Sequence, residues 1–263
     1  MADFLAAQWA SLTREFPLSL ATHEPSPTHF DTTRLLDLAT CRHMLEALGP
    51  VMGSPARAIT ASLLAKRIAF LVTGPAFYAM SAFDQGLDLR LENCVTDVTH
   101  ADGLWQSRLL LKTMATDCPT PEDRTRWRER VARRVFAEHL APLWVALHKA
   151  SGISPRILWE NTAVRVYSLY ERRIARLTDS VVRSNAEDDF RYLVHDAPAD
   201  VFGIAKNPLA RYFFKPRPTV SPTGQACDMR VRKTCCLYFK ATQPAEYCSA
   251  CPLIHPRAPL PPR

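Results

Sequence analysis

The residues best suited to chemistry lie near the end of this 263-residue chain: Cys235-Cys236, then eleven residues, then Cys248-Ser249-Ala250-Cys251. Half of the chain's eight cysteines thus fall within 17 residues. Four thiolates are the ligand set of a [2Fe–2S] or [4Fe–4S] cluster, and they also suit a structural zinc ion. The vicinal pair helps to choose. Zinc sites generally take ligands about two to four residues apart, so that the backbone wraps one ion. Adjacent side chains on an extended chain point apart, and bringing both onto one tetrahedral ion strains the backbone. A cluster is a larger target for diverging thiols, so the pattern favours iron–sulfur over zinc. Unligated, redox-sensitive thiols, a vicinal disulfide included, are the remaining reading. Cys41, Cys94 and Cys118 stand alone and read as small buried apolar residues, with Cys227 a bystander.

Arg230, Arg232, Lys233 and Lys240 flank these cysteines. Residues 204–263 carry a net charge of +8 and residues 1–203 carry −1, so the overall +7 belongs to one end. An oxidised [2Fe–2S] cluster on four thiolates would bring about −2, and positive neighbours raise its reduction potential. The four cations therefore read as docking residues for an anionic substrate or an acidic electron donor. A solvated basic face is the plain alternative.

The elements that must position these residues are mainly helical. Residues 3–16 form an amphipathic pattern, followed by a polar stretch, Glu24-Pro25-Ser26-Pro27-Thr28. Asp31-Thr32-Thr33 can cap a helix running to Leu48 and ending at Gly49-Pro50. Ser54-Pro55 opens another, which Gly74-Pro75 should break or kink before Ala76 to Phe83 continues. Residues 87–98 alternate as a strand does, Leu104–Leu111 is its partner, and residues 99–103 read as a hairpin turn. Thr120-Pro121-Glu122-Asp123 starts a helix to about His148, kinked at Pro142. Ser154-Pro155 starts the next, and a further helix falls near 179–195. Eleven of the 21 prolines follow residue 197, where Tyr212-Phe213-Phe214 and Met229–Arg232 read as short strands around a turn at Pro222-Thr223-Gly224. The expected fold is α+β, predominantly helical, with a mid-chain β-hairpin and a small irregular C-terminal module. The expected division is a helical domain at 1–226 and a cluster-binding module at 227–263. The last roughly 35 residues hold too few apolar groups to fold alone, so metal binding should supply much of their folding energy.

With 47% hydrophobic and 22% charged residues the chain is not of disordered composition. The N-terminus lacks a secretory signal, and the longest apolar run, Ile68–Met80, is too short to span a bilayer. The expected location is cytoplasmic, with loose association with the inner face of the membrane as a variant.

The tail, Arg232-Lys233-Thr234-Cys235-Cys236 followed by Cys248 to Cys251 and Pro252-Leu253, resembles the ferric-siderophore reductase family typified by FhuF. Ile157-Leu158-Trp159-Glu160-Asn161-Thr162 is similar to that family's Trp-x-Asn helix, and the order of elements and the length agree. One departure is a loop between the cysteine pairs longer than the family's roughly ten residues, a change that costs little. The resemblance implies a [2Fe–2S] cluster on Cys235, Cys236, Cys248 and Cys251, and one-electron reduction of iron in a ferric siderophore, of hydroxamate type. The matching Trp159, Asn161 and Thr162 read first as packing residues. No G-x-G-x-x-G or phosphate-cradling loop is present, so the electron should come from a separate protein such as a ferredoxin or a flavin-dependent reductase. Two other functions compete. One is a zinc-stabilised, basic nucleic-acid-binding protein, against which Trp105, Trp127 and Trp159 lie outside the basic segment. The other is a siderophore-binding or biosynthetic protein with a structural cluster.

Overall fold

The computed structural model describes residues 6–21, 29–101, 104–120, 122–220 and 224–255. The stretches 24–28 and 102–103, Pro121 and Pro222-Thr223 lie outside the described residues. The fold is α+β and predominantly helical, as the patterning requires. Its axis is one 27-residue helix, α3 (Arg57–Phe83), preceded by α1 (Ala6–Glu15) and α2 (Leu38–Val51). By length and composition α3 could cross a membrane, but 78% of its most apolar window is buried in the fold. It runs through Gly74-Pro75 as a continuous helix, so the break expected as one outcome there is absent. Gly74 is required there by packing: a Cβ would stand 2.6 Å from the Phe16 ring.

The expected helix from Asp31 divides in two. Thr32–Leu36 is a 3₁₀ turn, and α2 begins only where Asp37 accepts the Thr40 amide at 2.8 Å. It then runs past Gly49-Pro50 to Val51. The strand expected over 87–98 is also divided, into β3 (Gly86–Leu87) and β4 (Cys94–Ala101), by a 3₁₀ turn at Leu91–Asn93. Asn93 enforces the turn, its amide donating to the Asp88 and Thr113 carbonyls at 2.7 and 3.0 Å. Strand β5 (Leu104–Leu111) pairs antiparallel with β4, Cys94 opposite Leu111, as the hairpin pattern predicts. Strands β1 (Leu18–Leu20) and β2 (His29–Asp31) complete a sheet of order β1-β5-β4-β2, and β6 (Thr116–Asp117) pairs with β3.

The long helix expected from 120 to 148 is α4 (Arg124–Arg133) and α5 (Ala141–Ser151), joined by a π-helical stretch at Arg134–Leu140. Pro142 has no N–H for the preceding turn, and the wider turns lead directly into it. Helix α6 (Pro155–Ser168) starts where expected, with Ser154 capping the Arg156 amide, and packs along α3. Helix α7 (Ser180–Arg191) follows. Residues 212–214 are not a strand: Asn207-Pro208 instead starts a short helix, α8 (Pro208–Tyr212), with Asn207 capping Leu209 and Ala210. The hairpin of the tail is β7 (Arg217–Val220) with β8 (Ala226–Met229), so Met229 ends a strand rather than opening one. Strand β8 spans the expected boundary at 226/227.

Candidate metal centre

Helix α6 places Glu160 and Asn161 side by side, each 1% exposed, facing the segment that carries Cys235 and Cys236. A carboxylate buried that deeply needs compensation, and the loop supplies it. Glu160 accepts the Lys233 and Thr234 amides at 2.6 and 2.7 Å, and also the Thr234 hydroxyl. Its charge faces the guanidinium of Arg232 at 3.9 Å. That guanidinium, itself in a residue only 3% exposed, donates to Asn161 Oδ1 at 2.7 Å. The Asn161 amide in turn donates to the Ser62 carbonyl on α3 at 3.0 Å. Ser62 Oγ donates to the Cys236 carbonyl at 2.7 Å. The Cys235-Cys236 backbone is thus clamped to two core helices through fully buried polar groups. Trp159 and Thr162 have the packing role expected of them: Trp159 is 6% exposed in the core, and Thr162 bonds the Trp144 indole at 3.1 Å. Asn161 does more than pack.

The other cysteine segment is held within the tail. The Arg232 amide donates to the Ala250 carbonyl at 3.0 Å, and Cys251 closes a turn onto Cys248 at 3.0 Å. His255 reaches the Ser249 carbonyl at 3.1 Å and Thr219 of β7 at 2.9 Å. Cys236 Sγ and Cys248 Sγ stand 3.5 Å apart. The Leu237 amide, from a left-handed residue at φ 64°, points at Cys235 Sγ at 3.3 Å. Cys235 also lies within electrostatic reach of Cys236 and Cys251. Among the described residues no three Cys, His, Asp or Glu side chains are gathered closely enough to hold a metal ion as they stand. An all-sulfur donor set, with an amide directed at one sulfur and buried cations beside it, fits an anionic iron–sulfur group. Of the other cysteines, Cys41 and Cys94 are buried core residues, burial raising the Cys41 thiol to about 11. Cys118, expected to be buried, is exposed, and Cys227 is half-buried.

Beside Cys248 lies a cavity of about 570 Å³ whose walls come from α3, α6, α8, β8, the residues on either side of Cys235-Cys236, and Cys248 to Ala250. Arg230 and Arg232, two of the four expected docking cations, line it. Neither is an open surface charge. Arg230 forms a two-pronged pair with Glu171 at 2.9 and 3.0 Å and stacks on Phe213. Lys233 lies elsewhere, its ammonium on the Arg211 carbonyl at 2.7 Å, and Lys240 is exposed. Sequence reasoning missed two cavity cations from the core helices, Lys66 and Arg165. Burial holds the Lys66 pKa below the usual ammonium range, opposed by Cys236 and Cys248 and reinforced by Arg165 and Arg232. Burial lowers Arg165 likewise, with Arg67 and Arg232 adding to it. A Lys-Arg pair inside an apolar helix (Ala65-Lys66-Arg67-Ile68) and a Glu beside Asn161 are the signals that mark this clamp and cavity in the sequence.

The comparisons with known proteins agree with this arrangement. Residues 62–218 match the family described as ferric iron reductase FhuF-like transporter. Residues 232–253, which contain all four clustered cysteines, match the FhuF 2Fe-2S C-terminal domain. No curated protein matches the chain. The second match decides the cofactor as a [2Fe–2S] cluster rather than zinc, and the first spans more than half of the chain. The chain belongs to the FhuF-like family of ferric iron reductases, which are oxidoreductases, and carries its [2Fe–2S] C-terminal domain.

Proposed function

We propose that the protein is a cytoplasmic ferric-siderophore reductase in which Cys235, Cys236, Cys248 and Cys251 hold the cluster. The observation that carries this reading is the position of Cys248, which both meets Cys236 at 3.5 Å and lines the cavity between body and tail. When bound, the group supplies electrons one at a time. Iron(III) in a chelate of hard oxygen donors takes one electron and becomes iron(II), which such donors hold far less tightly. No bond to the protein forms or breaks.

The chain's own residues bind and orient. Glu160, Asn161 and Ser62 fix the Cys235-Cys236 backbone, and the Leu237 amide is directed at a ligand sulfur. Lys66, Arg165 and Arg232 set positive charge beside the thiolates, which favours the more negative, reduced form. The chain has no dinucleotide motif, and a ferredoxin or flavin-dependent reductase delivers the electron near exposed Lys240, either free in the cytoplasm or loosely held at the inner membrane face. The substrate is a siderophore of hydroxamate type. The cluster module is the segment from 227 onward, tied back to the body by the pairing of β8 with β7.

The test uses full-length protein reconstituted anaerobically, reduced with dithionite, freed of excess reductant and mixed with a ferric trihydroxamate. The expected result is return of the oxidised visible spectrum with one iron(II) trapped per cluster. A reduced protein that no ferric siderophore reoxidises contradicts the reading.

A further inference from the structure

Among the described residues the part-buried arginines away from the tail have firm protein partners: Arg124 and Arg128 meet Asp189, Arg134 meets Asp117, and Arg67 donates to the Ser107 hydroxyl and carbonyl. The cavity beside Cys248 departs from this pattern. Lys66 has a Tyr238 ring at 5.4 Å, and Arg165 has only the Lys66 carbonyl at 3.4 Å and the Phe70 ring at 5.8 Å. Arg172, an exposed lining residue, adds a third cation. Among the described residues none of the three has a carboxylate partner. The wall's own carboxylates do not balance them: Glu160 is bound to the loop amides and Glu171 to Arg230, leaving Asp228. Unpaired positive charge in a partly enclosed cavity is costly unless an anion enters. A cluster on the proposed cysteines would offset part of the charge of Lys66 and Arg165, both of which feel Cys236.

We propose that this cavity is an anion-selecting chelate site, in which Lys66, Arg165 and Arg172 bind a carboxylate or other negative group carried by the ferric chelate. The inference rests on the reductase reading above and adds the charge of the substrate to it. A chelate with a free anionic arm is held in the cavity with its iron toward Cys248, and one with a cationic arm is repelled.

The test is calorimetric titration of the cluster-loaded, full-length protein with two gallium(III) complexes, which bind as iron(III) does but accept no electron. Both use one linear trihydroxamate, its terminus either an ammonium or, after succinylation, a carboxylate. The carboxylate complex should bind about tenfold more tightly at low salt, and the gap should close as salt rises. Arg165→Gln should abolish most of the gap. Arg172→Gln, a change at an exposed position that leaves folding intact, should narrow it. Equal affinities overturn the proposal. So does a gap that survives both substitutions, which would make these cations counter-charges of the cluster alone. Failure of both gallium complexes to bind also overturns it, and the reductase reading falls with it only if the ferric counterparts leave the reduced cluster unoxidised.

Discussion

The two cysteine segments reach the site with unequal support. Cys235-Cys236 is fastened to α3 and α6 by Glu160, Asn161 and Ser62, residues that are 1% exposed or less. Cys248 to Cys251 hangs on a turn, on the Ala250 carbonyl and on His255, whose other partner is Thr219 of β7, contacts made away from the core helices. Buried charge-assisted hydrogen bonds resist opening far more than half-exposed ones. One pair of cysteines is therefore positioned by the protein core, and a cluster on the four proposed ligands would supply much of the order of the other pair.

The largest effect that would break this contrast is loss of the cofactor itself. Cys251→Ser should abolish cluster retention and accelerate tryptic and chymotryptic cleavage after Lys240 and Tyr247, while Lys233 and the helical body stay resistant. Mass spectrometry of the fragments checks it, and cleavage at Lys233 as fast as at Tyr247 would show that the clamp gives no independent order.

Glu160→Gln should come next. It leaves Arg232 without its buried counter-charge and weakens the acceptors of two amides, costing about 3 kcal/mol in denaturant unfolding and hastening cluster loss. The matching change on the other segment, His255→Ala, should cost under about 1 kcal/mol. Similar losses from the two would erase the contrast.

The body has its own weakness, independent of the tail. His139 is fully buried, its Nδ1–H donating to the Leu89 carbonyl at 2.6 Å, and burial pushes its pKa down to about 4. Because the folded value lies below the unfolded one of about 6.5, the stability is complete above that pH and is lost as pH falls towards 4, by about 3 kcal/mol. Urea unfolding of cofactor-free protein at several pH values should show this slope in the body and lose it in His139→Gln.

The cysteine spacing was legible because ligand chemistry depends on residue type and short-range separation. The Ser154-Pro155 helix start and the 94–111 hairpin were legible for the same reason: cap, proline and alternation act locally. The clamp was not. Glu160 meets Lys233 and Thr234 across more than seventy residues, and its place beside Asn161 marks a polar site on the helix without saying which distant loop's amides it accepts. Lys66 sits in an apolar helix, and only packing brings it to the cavity beside Cys248. Local rules also overstated a break at Gly74-Pro75, where the helix is continuous, and misread 212–214, where the Asn207-Pro208 start signal prevails over aromatic strand preference.

The most direct test of the unequal support is amide hydrogen exchange on the full-length chain with and without the cluster. The Lys233 and Thr234 amides should be protected in both forms, whereas those of 248–255 should gain protection only when the cluster is bound. Equal exposure of the two segments in the cluster-free protein would contradict it.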